Sequence, residues 1–203
     1  MRARPHCNPF NVREPAERPD WTKVFANPGQ PLDLEIGFST GRFLLRYARN
    51  FPERNIAGLE IRGKFIEYVK NKISTAGLTN AYALKANAGT ALAKLFAPRS
   101  LSRVIIMFPD PWRKAGHLKR RVVNPDFLAG LAKHLKPGAE LHIATDQKEL
   151  AEDMRAALLA APEYQNKHAL YAPENFAGIA TDIEKYQLER GRPVYRLVFG
   201  FTG

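Results

Sequence analysis

Five consecutive residues, Phe108-Pro109-Asp110-Pro111-Trp112, set a carboxylate between two prolines and close to an indole. Proline fixes its own φ and restricts the residue before it, so Asp110 sits in a stiff turn. The apolar run Val104–Phe108 before it reads as a buried strand. A carboxylate held at a strand end beside a flat ring can hydrogen-bond the N1–H and N2 amine of a guanine while the ring packs nearby. The plainer reading is a rigid loop with Trp112 as core cover. A lone Trp favours that reading; an Asp between two prolines at a strand end does not.

A basic stretch follows at once. Arg113, Lys114, Lys119, Arg120 and Arg121 make five basic residues with no acidic one between them, nearly half of the chain's net charge of +11. Such a run is usually a solvated face. Its place directly after the Asp110 turn favours phosphate contacts instead. His117 has no second ligand at usable spacing, so it reads as a phosphate or water contact and not as a metal ligand. There is no Ser/His/Asp signature and no zinc pattern, so no metal is expected. The single cysteine, Cys7, excludes an internal disulfide framework.

A second group opens the regular part of the chain. Leu32–Ile36 runs into Gly37-Phe38-Ser39-Thr40-Gly41. The two glycines let backbone pass close to a ligand and open a helix. This is not the dinucleotide fingerprint, because Ser39 stands at the second glycine and Phe43 and Leu44 fill the third-glycine region. Nor is it a Walker A loop, because no Gly-Lys-Ser/Thr follows. Glu60 closes the next strand, where an acid typically accepts hydrogen bonds from ribose hydroxyls. Turn and acid together favour a nucleoside-bearing cofactor over a coincidence of helix capping. Asn87 ends the third strand, and Thr145 and Asp146 end the fifth; alone, those last two read as a helix cap.

These groups need a scaffold that gathers strand ends. The chain has 203 residues, 45% of them hydrophobic, enough for one sizeable core. Residues 1–31 are proline-rich and read as an irregular arm, with a short strand near Trp21–Phe25. From Leu32 onward short apolar runs alternate with helical periods. Strands are predicted at Leu32–Ile36, Ile56–Leu59, Ala81–Ala86, Val104–Phe108, Glu140–Ala144 and Val194–Phe199. Helices are predicted at Gly41–Arg49, Phe65–Ile73, Gly89–Phe96, Pro125–Leu135 and Gln147–Leu159, with Pro137-Gly138 as a breaker. The alternation predicts an α/β, doubly wound sheet of six or seven strands. In such sheets ligands lie at the carboxyl ends of the strands, where the residues above collect.

Charge narrows the partners. Lys and Arg total 31 against 20 for Asp and Glu, an excess that suits a polyanion. No run of apolar residues is long enough for a transmembrane helix, and the first twenty residues hold no apolar signal region. A cytoplasmic protein with no membrane role is the expectation.

Over residues 30–200 the chain resembles the tRNA (guanine-N7-)-methyltransferases of the bacterial single-subunit type. The marks are Phe108-Pro109-Asp110-Pro111-Trp112 with Lys114 and Lys119-Arg120-Arg121, then Thr145-Asp146, then Thr181-x-x-Glu184 before Gly191-Arg192-Pro193-Val194-Tyr195. Leu34-Glu35-Ile36-Gly37 would fit many S-adenosylmethionine enzymes. The resemblance implies a Rossmann-like class I methyltransferase domain over residues 32–203, with a mostly parallel seven-stranded sheet. It implies S-adenosylmethionine as cofactor, held by Glu35, Gly37, Gly41, Glu60, Asn87 and Asp110. Asp110 would also be the catalytic residue. Lys114, Asp146, Thr181 and Glu184 would hold the substrate guanosine, and His117, Lys119, Arg120 and Arg121 would contact the RNA. The target would be N7 of the variable-loop guanosine at position 46 of tRNA, with no obligate protein partner.

Two residues depart from the family pattern. Ser39 stands where a second glycine is usual, and Asn87 stands where an Asp is usual. Asn87 can still accept through its carbonyl oxygen but carries no charge. These departures keep a second reading open, a catalytically weak relic that only grips RNA. A dehydrogenase on the same kind of sheet is disfavoured by the missing glycine pattern.

Overall fold

A computed structural model of the protein describes residues 8–12 and 18–203. Its centre is a seven-stranded sheet in the order β3-β2-β1-β4-β5-β7-β6. The strands are β1 (Leu32–Ile36), β2 (Asn55–Glu60), β3 (Ala81–Lys85), β4 (Leu101–Met107), β5 (Leu135–Thr145), β6 (Tyr164–Asn166) and β7 (Tyr195–Phe201). The first five pair in parallel; β7 is antiparallel to both β5 and β6. The order reverses between β1 and β4, which opens a crevice at their carboxyl ends.

Helices cover both faces. On one face α4 (Ala88–Leu95), α5 (Pro125–Ala132) and α6 (Lys148–Leu159) pack on Leu34, Val104, Ile106 and Leu141. On the other, α2 (Arg42–Asn50) and α3 (Ile66–Thr75) pack on Ile56, Ala83 and Ile105, joined by Ile179. Strand β2 is buried along its whole length, as a parallel strand covered on both faces must be.

The crevice wall is tied from below. Asp33 of β1 is fully buried, and both of its oxygens are gripped by Arg54, through Nε at 2.6 Å and Nη2 at 2.6 Å. The Tyr47 hydroxyl of α2 donates to the same carboxylate at 2.6 Å. Burial, and then the neighbouring Asp33 charge, push the Tyr47 phenol above its ordinary range.

Three elements differ from the sequence expectation. The segment near Trp21–Phe25 is not a strand but one turn of helix, α1 (Trp21–Val24). Asp20 caps it by accepting from Thr22 N–H at 3.1 Å. Trp21 stacks on Phe96 at 5.4 Å and donates from its indole to the Leu95 carbonyl at 2.8 Å, so this segment docks on the end of α4 and finds no strand partner. The helix from Pro125 stops at Ala132, not Leu135. Leu135 already belongs to β5 and pairs with Leu101; the exposed Pro137-Gly138 pair sits inside the strand at a register shift. Between α6 and β7, where the sequence reading places no element, the chain forms β6 and a further helix, α7 (Asp182–Leu188). Among the described residues no helix is long and apolar enough to cross a membrane, and no group of three or more His, Cys, Asp or Glu side chains could hold a metal.

Candidate active site

A cavity of about 540 Å³ opens at the switch point between β1 and β4. Glu35, Gly37, Glu60, Asn87 and Asp110 all line it, as do Lys119, Arg120, Arg121 and Thr181. Gly41, Lys114, His117, Asp146 and Glu184 are not on its wall.

The floor comes from β1 and β2. Past Ile36 the chain turns with Gly37 at φ +84°, Ser39 at φ +51° and Gly41 at φ +71°. Gly41 opens α2, and a Cβ there would meet Val69 at 2.7 Å, so its role is close packing. Ser39 holds a left-handed backbone with a side chain attached, which is strained for any residue but glycine. Its N–H donates to Glu60 Oε2 at 2.9 Å. The rest of the Glu60 carboxylate is taken by Arg62, through its backbone N–H at 2.9 Å and its guanidinium at 2.9 and 3.1 Å. Arg62 thus already occupies the Glu60 carboxylate.

Glu35 is different. It is 3% exposed, and its Oε2 has no hydrogen-bond partner. Burial, and secondarily the Glu60 charge, push its carboxyl up to about 8. Burial thus favours the protonated, neutral form of this carboxyl. Asn87 caps α4, its Oδ1 accepting from Gly89 N–H at 3.0 Å. Its Nδ2 donates to the Pro9 carbonyl at 3.0 Å, a bond no aspartate could make, and Pro9 itself lines the cavity.

The mouth comes from β4. Phe108 lies at φ +52° and Trp112 at φ +41°, so strained residues bracket Pro109-Asp110-Pro111. The turn is held from outside. Phe108 N–H donates to the Ala144 carbonyl at 2.7 Å, and Arg121 donates to the Pro111 carbonyl at 2.8 Å while pairing with Asp153 of α6. Arg120 lies over the Trp112 ring at 5.1 Å, and His117 meets the same ring edge-on at 5.7 Å. Burial, then the charges of Arg120 and Lys114, lower the His117 pKa. Lys114 precedes a 3-10 turn over Ala115–Arg120 and is exposed, as is Lys119.

The remaining wall is α7. Thr181 caps it in a reciprocal box with Glu184, and Thr181 lines the cavity. Glu184 lies behind, 1% exposed, with Oε1 gripped by Arg196. Asp146 accepts from Gln187 of α7. Arg62, Arg196, Gln187 and Pro9 have no counterpart among the sequence-derived residues. For Arg62 a signal existed, a guanidinium two positions past the strand-end acid. Arg196, Gln187 and Pro9 reach their partners only through the fold.

The sequence matches the family described as "Putative methyltransferase" over residues 29–197. It is 42% identical over 197 residues to the tRNA (guanine-N(7)-)-methyltransferase of Synechococcus sp. (strain JA-2-3B'a(2-13)), covering 96% of this chain and 82% of that one. The chain belongs to this methyltransferase family. The same enzyme of Burkholderia cenocepacia (strain HI2424), another family member, is 39% identical over 94% of this chain and 74% of its own. The fold is also that of the 16S rRNA methyltransferase KamB, with TM-score 0.64, 20% identity, and coverage of 92% of this chain and 95% of that one. A SAM dependent methyltransferase from Aquifex aeolicus superposes with TM-score 0.59 at 14% identity, covering 90% of each chain. The cavity residues fit the cofactor of such enzymes. An unpartnered buried carboxyl at Glu35 suits a cationic group, and the Gly37 turn leaves backbone open beside it.

Proposed function

We propose that this protein transfers a methyl group from S-adenosylmethionine to N7 of a guanosine in tRNA, in the variable loop. Asp110 carries the reading. It stands in a braced, strained turn on the wall of the same cavity whose floor holds Glu35 and Glu60.

When bound, S-adenosylmethionine supplies a methyl group on a sulfonium, a carbon electrophile. In this reading Glu35, Glu60 and Asn87 hold it, Glu35 taking the amino group and Glu60 the ribose once Arg62 yields. Guanine N7 has a free lone pair at neutral pH, so the site needs no strong base. Asp110 holds the base and stabilises the positive charge that arrives on the purine. Thr181 faces the guanosine, and Glu184 sets its position from behind. In the same reading Lys114 and Asp146 help to hold the guanosine from beyond the cavity wall, and Lys119 and Arg120 meet the RNA backbone beside Trp112 and His117. Arg121 braces the turn from the same stretch. Alignment of the reacting atoms supplies the remainder, an effect worth roughly 7–11 kcal/mol in good geometry.

The test uses unmodified tRNA and methyl-labelled S-adenosylmethionine, followed by digestion and identification of the labelled nucleoside. Label in 7-methylguanosine from the variable loop is the expected result. Label in another nucleoside, or none with tRNA tightly bound, overturns the proposal.

A further inference from the structure

Across the cavity from the basic stretch, α2 carries two more arginines that share one exposed acid. Arg42 and Arg46 both line the cavity, and both pair with Asp182, the first residue of α7. Arg46 reaches it at 3.5 Å and also donates to the Ala180 carbonyl at 3.0 Å. The three side chains are 67%, 39% and 44% exposed. Two guanidinium groups thus share one carboxylate in solvent, which leaves a net positive charge at the rim.

From this placement we infer that Arg42 and Arg46 form a phosphate clamp for the RNA strand entering the site. Asp182 occupies the clamp when RNA is absent. The inference rests on the tRNA reading above and extends it to a wall that neither the basic stretch nor the Asp110 turn reaches.

Three considerations carry it. A guanidinium fork matches phosphate as well as carboxylate geometry, so what Asp182 accepts a phosphate also accepts. An ion pair this exposed is weak and opens readily to a competing anion. The cavity lies between α2 and the Lys119–Arg121 stretch, so a nucleotide inserted there has its flanking phosphates within reach of cations on both sides. A purely structural staple between α2 and α7 would need only one arginine, and Arg46 alone already ties the two segments through Ala180.

The experiment measures binding of an unmodified tRNA transcript over a salt series, on the parent, Arg42→Ala, Arg42→Ala/Arg46→Ala, Asp182→Asn and Lys133→Ala. Each lost phosphate contact lowers the log–log salt slope by about 0.7–0.9. Arg42→Ala, which keeps the Arg46 tie to Ala180, is expected to lose about one such step and the double variant about two. Asp182→Asn is expected to bind tRNA several-fold tighter, because the competing acid is gone. Lys133 lies just before β5, at the strand end opposite the cavity, and its loss is expected to leave the slope unchanged. Cofactor affinity stays at the parent value in all of them. An unchanged slope in both arginine variants, or weaker binding in Asp182→Asn, means a staple and overturns the clamp while leaving methyl transfer intact. A parent with no salt-dependent tRNA binding overturns the tRNA reading itself.

Discussion

Arg196 of β7 grips Glu184 of α7 from two nitrogens, Nε at 2.8 Å and Nη2 at 2.6 Å, both on Oε1. The pair is nearly out of solvent, and the other Glu184 oxygen closes the capping box on Thr181 N–H at 3.4 Å. A strand on one side of the sheet edge thereby sets the position of a cavity-lining threonine. Removing one partner of such a pair leaves a buried charge uncompensated, at a cost of about 3–5 kcal/mol. Arg196→Met is therefore expected to lower stability by that order in a urea melt. Arg196→Lys keeps the charge without the fork and is expected to keep most of the stability while raising KM for tRNA more than it lowers kcat. A Met variant as stable as the parent would contradict this account.

Asp110→Ala removes the carboxylate from the mouth and leaves the turn's braces in place. Loss of charge stabilisation in a site of this kind costs about a hundred- to a thousandfold in rate. The expected variant is folded, binds tRNA with parental affinity and has lost most methyl transfer. Single-turnover kinetics beside a binding titration check both halves; activity within a few-fold of the parent removes Asp110 from the chemistry.

Glu35 predicts a pH effect with a definite sign. Its carboxyl is pushed up to about 8 in the folded protein, from 4.5 in an unstructured chain. Between those values the folded state holds a proton that the unfolded state has released. The Glu35 contribution to stability is thus complete below about pH 4 and is lost progressively as pH rises to about 8. Glu35→Gln carries no such proton. Melting temperatures without cofactor are expected to diverge from about pH 5 upward in favour of the variant, about half a unit above the ordinary glutamate value. A cationic cofactor group held beside Glu35 would favour its ionised form, so calorimetry at pH 7 in buffers of different ionisation enthalpy is expected to show net proton release on S-adenosylmethionine binding in the parent and less in Glu35→Gln.

Ser39 tests the strained loop. A non-glycine residue in the left-handed region costs about 1–2 kcal/mol, and glycine returns about 0.5–1 kcal/mol of that as unfolded-chain entropy. Ser39→Gly is expected to melt at the parent temperature or slightly above it, since its N–H bond to Glu60 survives. A clear loss of stability would show that the serine hydroxyl supports the loop.

Asp33 and Arg54 test the tie below the crevice. Arg54→Met leaves the fully buried Asp33, among the described residues, with the Tyr47 hydroxyl as its one side-chain partner, and is expected to cost about 3–5 kcal/mol by chemical denaturation. Replacing both, as Asp33→Leu/Arg54→Met, is expected to recover part of that loss. A double variant worse than the single would mean that the pair does more than satisfy itself.

Much of the scaffold could be read from residues alone, because its signals are local. Buried parallel strands such as β4 carry continuous apolar runs, here Val104–Met107, and the helices between them repeat their apolar positions at helical spacing. Knowing the strand ends locates the crevice, so Glu35, Glu60, Asn87 and Asp110 were expected to share one region, and one cavity wall does hold all four. The rest was settled by pairing at a distance. Trp21 is helical because Asp20 caps it and α4 receives its indole, not because of its own β propensity. Leu135 joins β5 because Leu101 lies beside it, despite Pro137-Gly138. Lys114, Asp146 and Glu184 follow the same strand and helix ends in sequence, yet stand off the cavity wall. Whether a side chain faces the cavity or a neighbour depends on which partner the fold brings within 3 Å, as Arg196 does for Glu184. No local pattern contains that information, since the partners belong to different elements and meet only when the sheet is assembled.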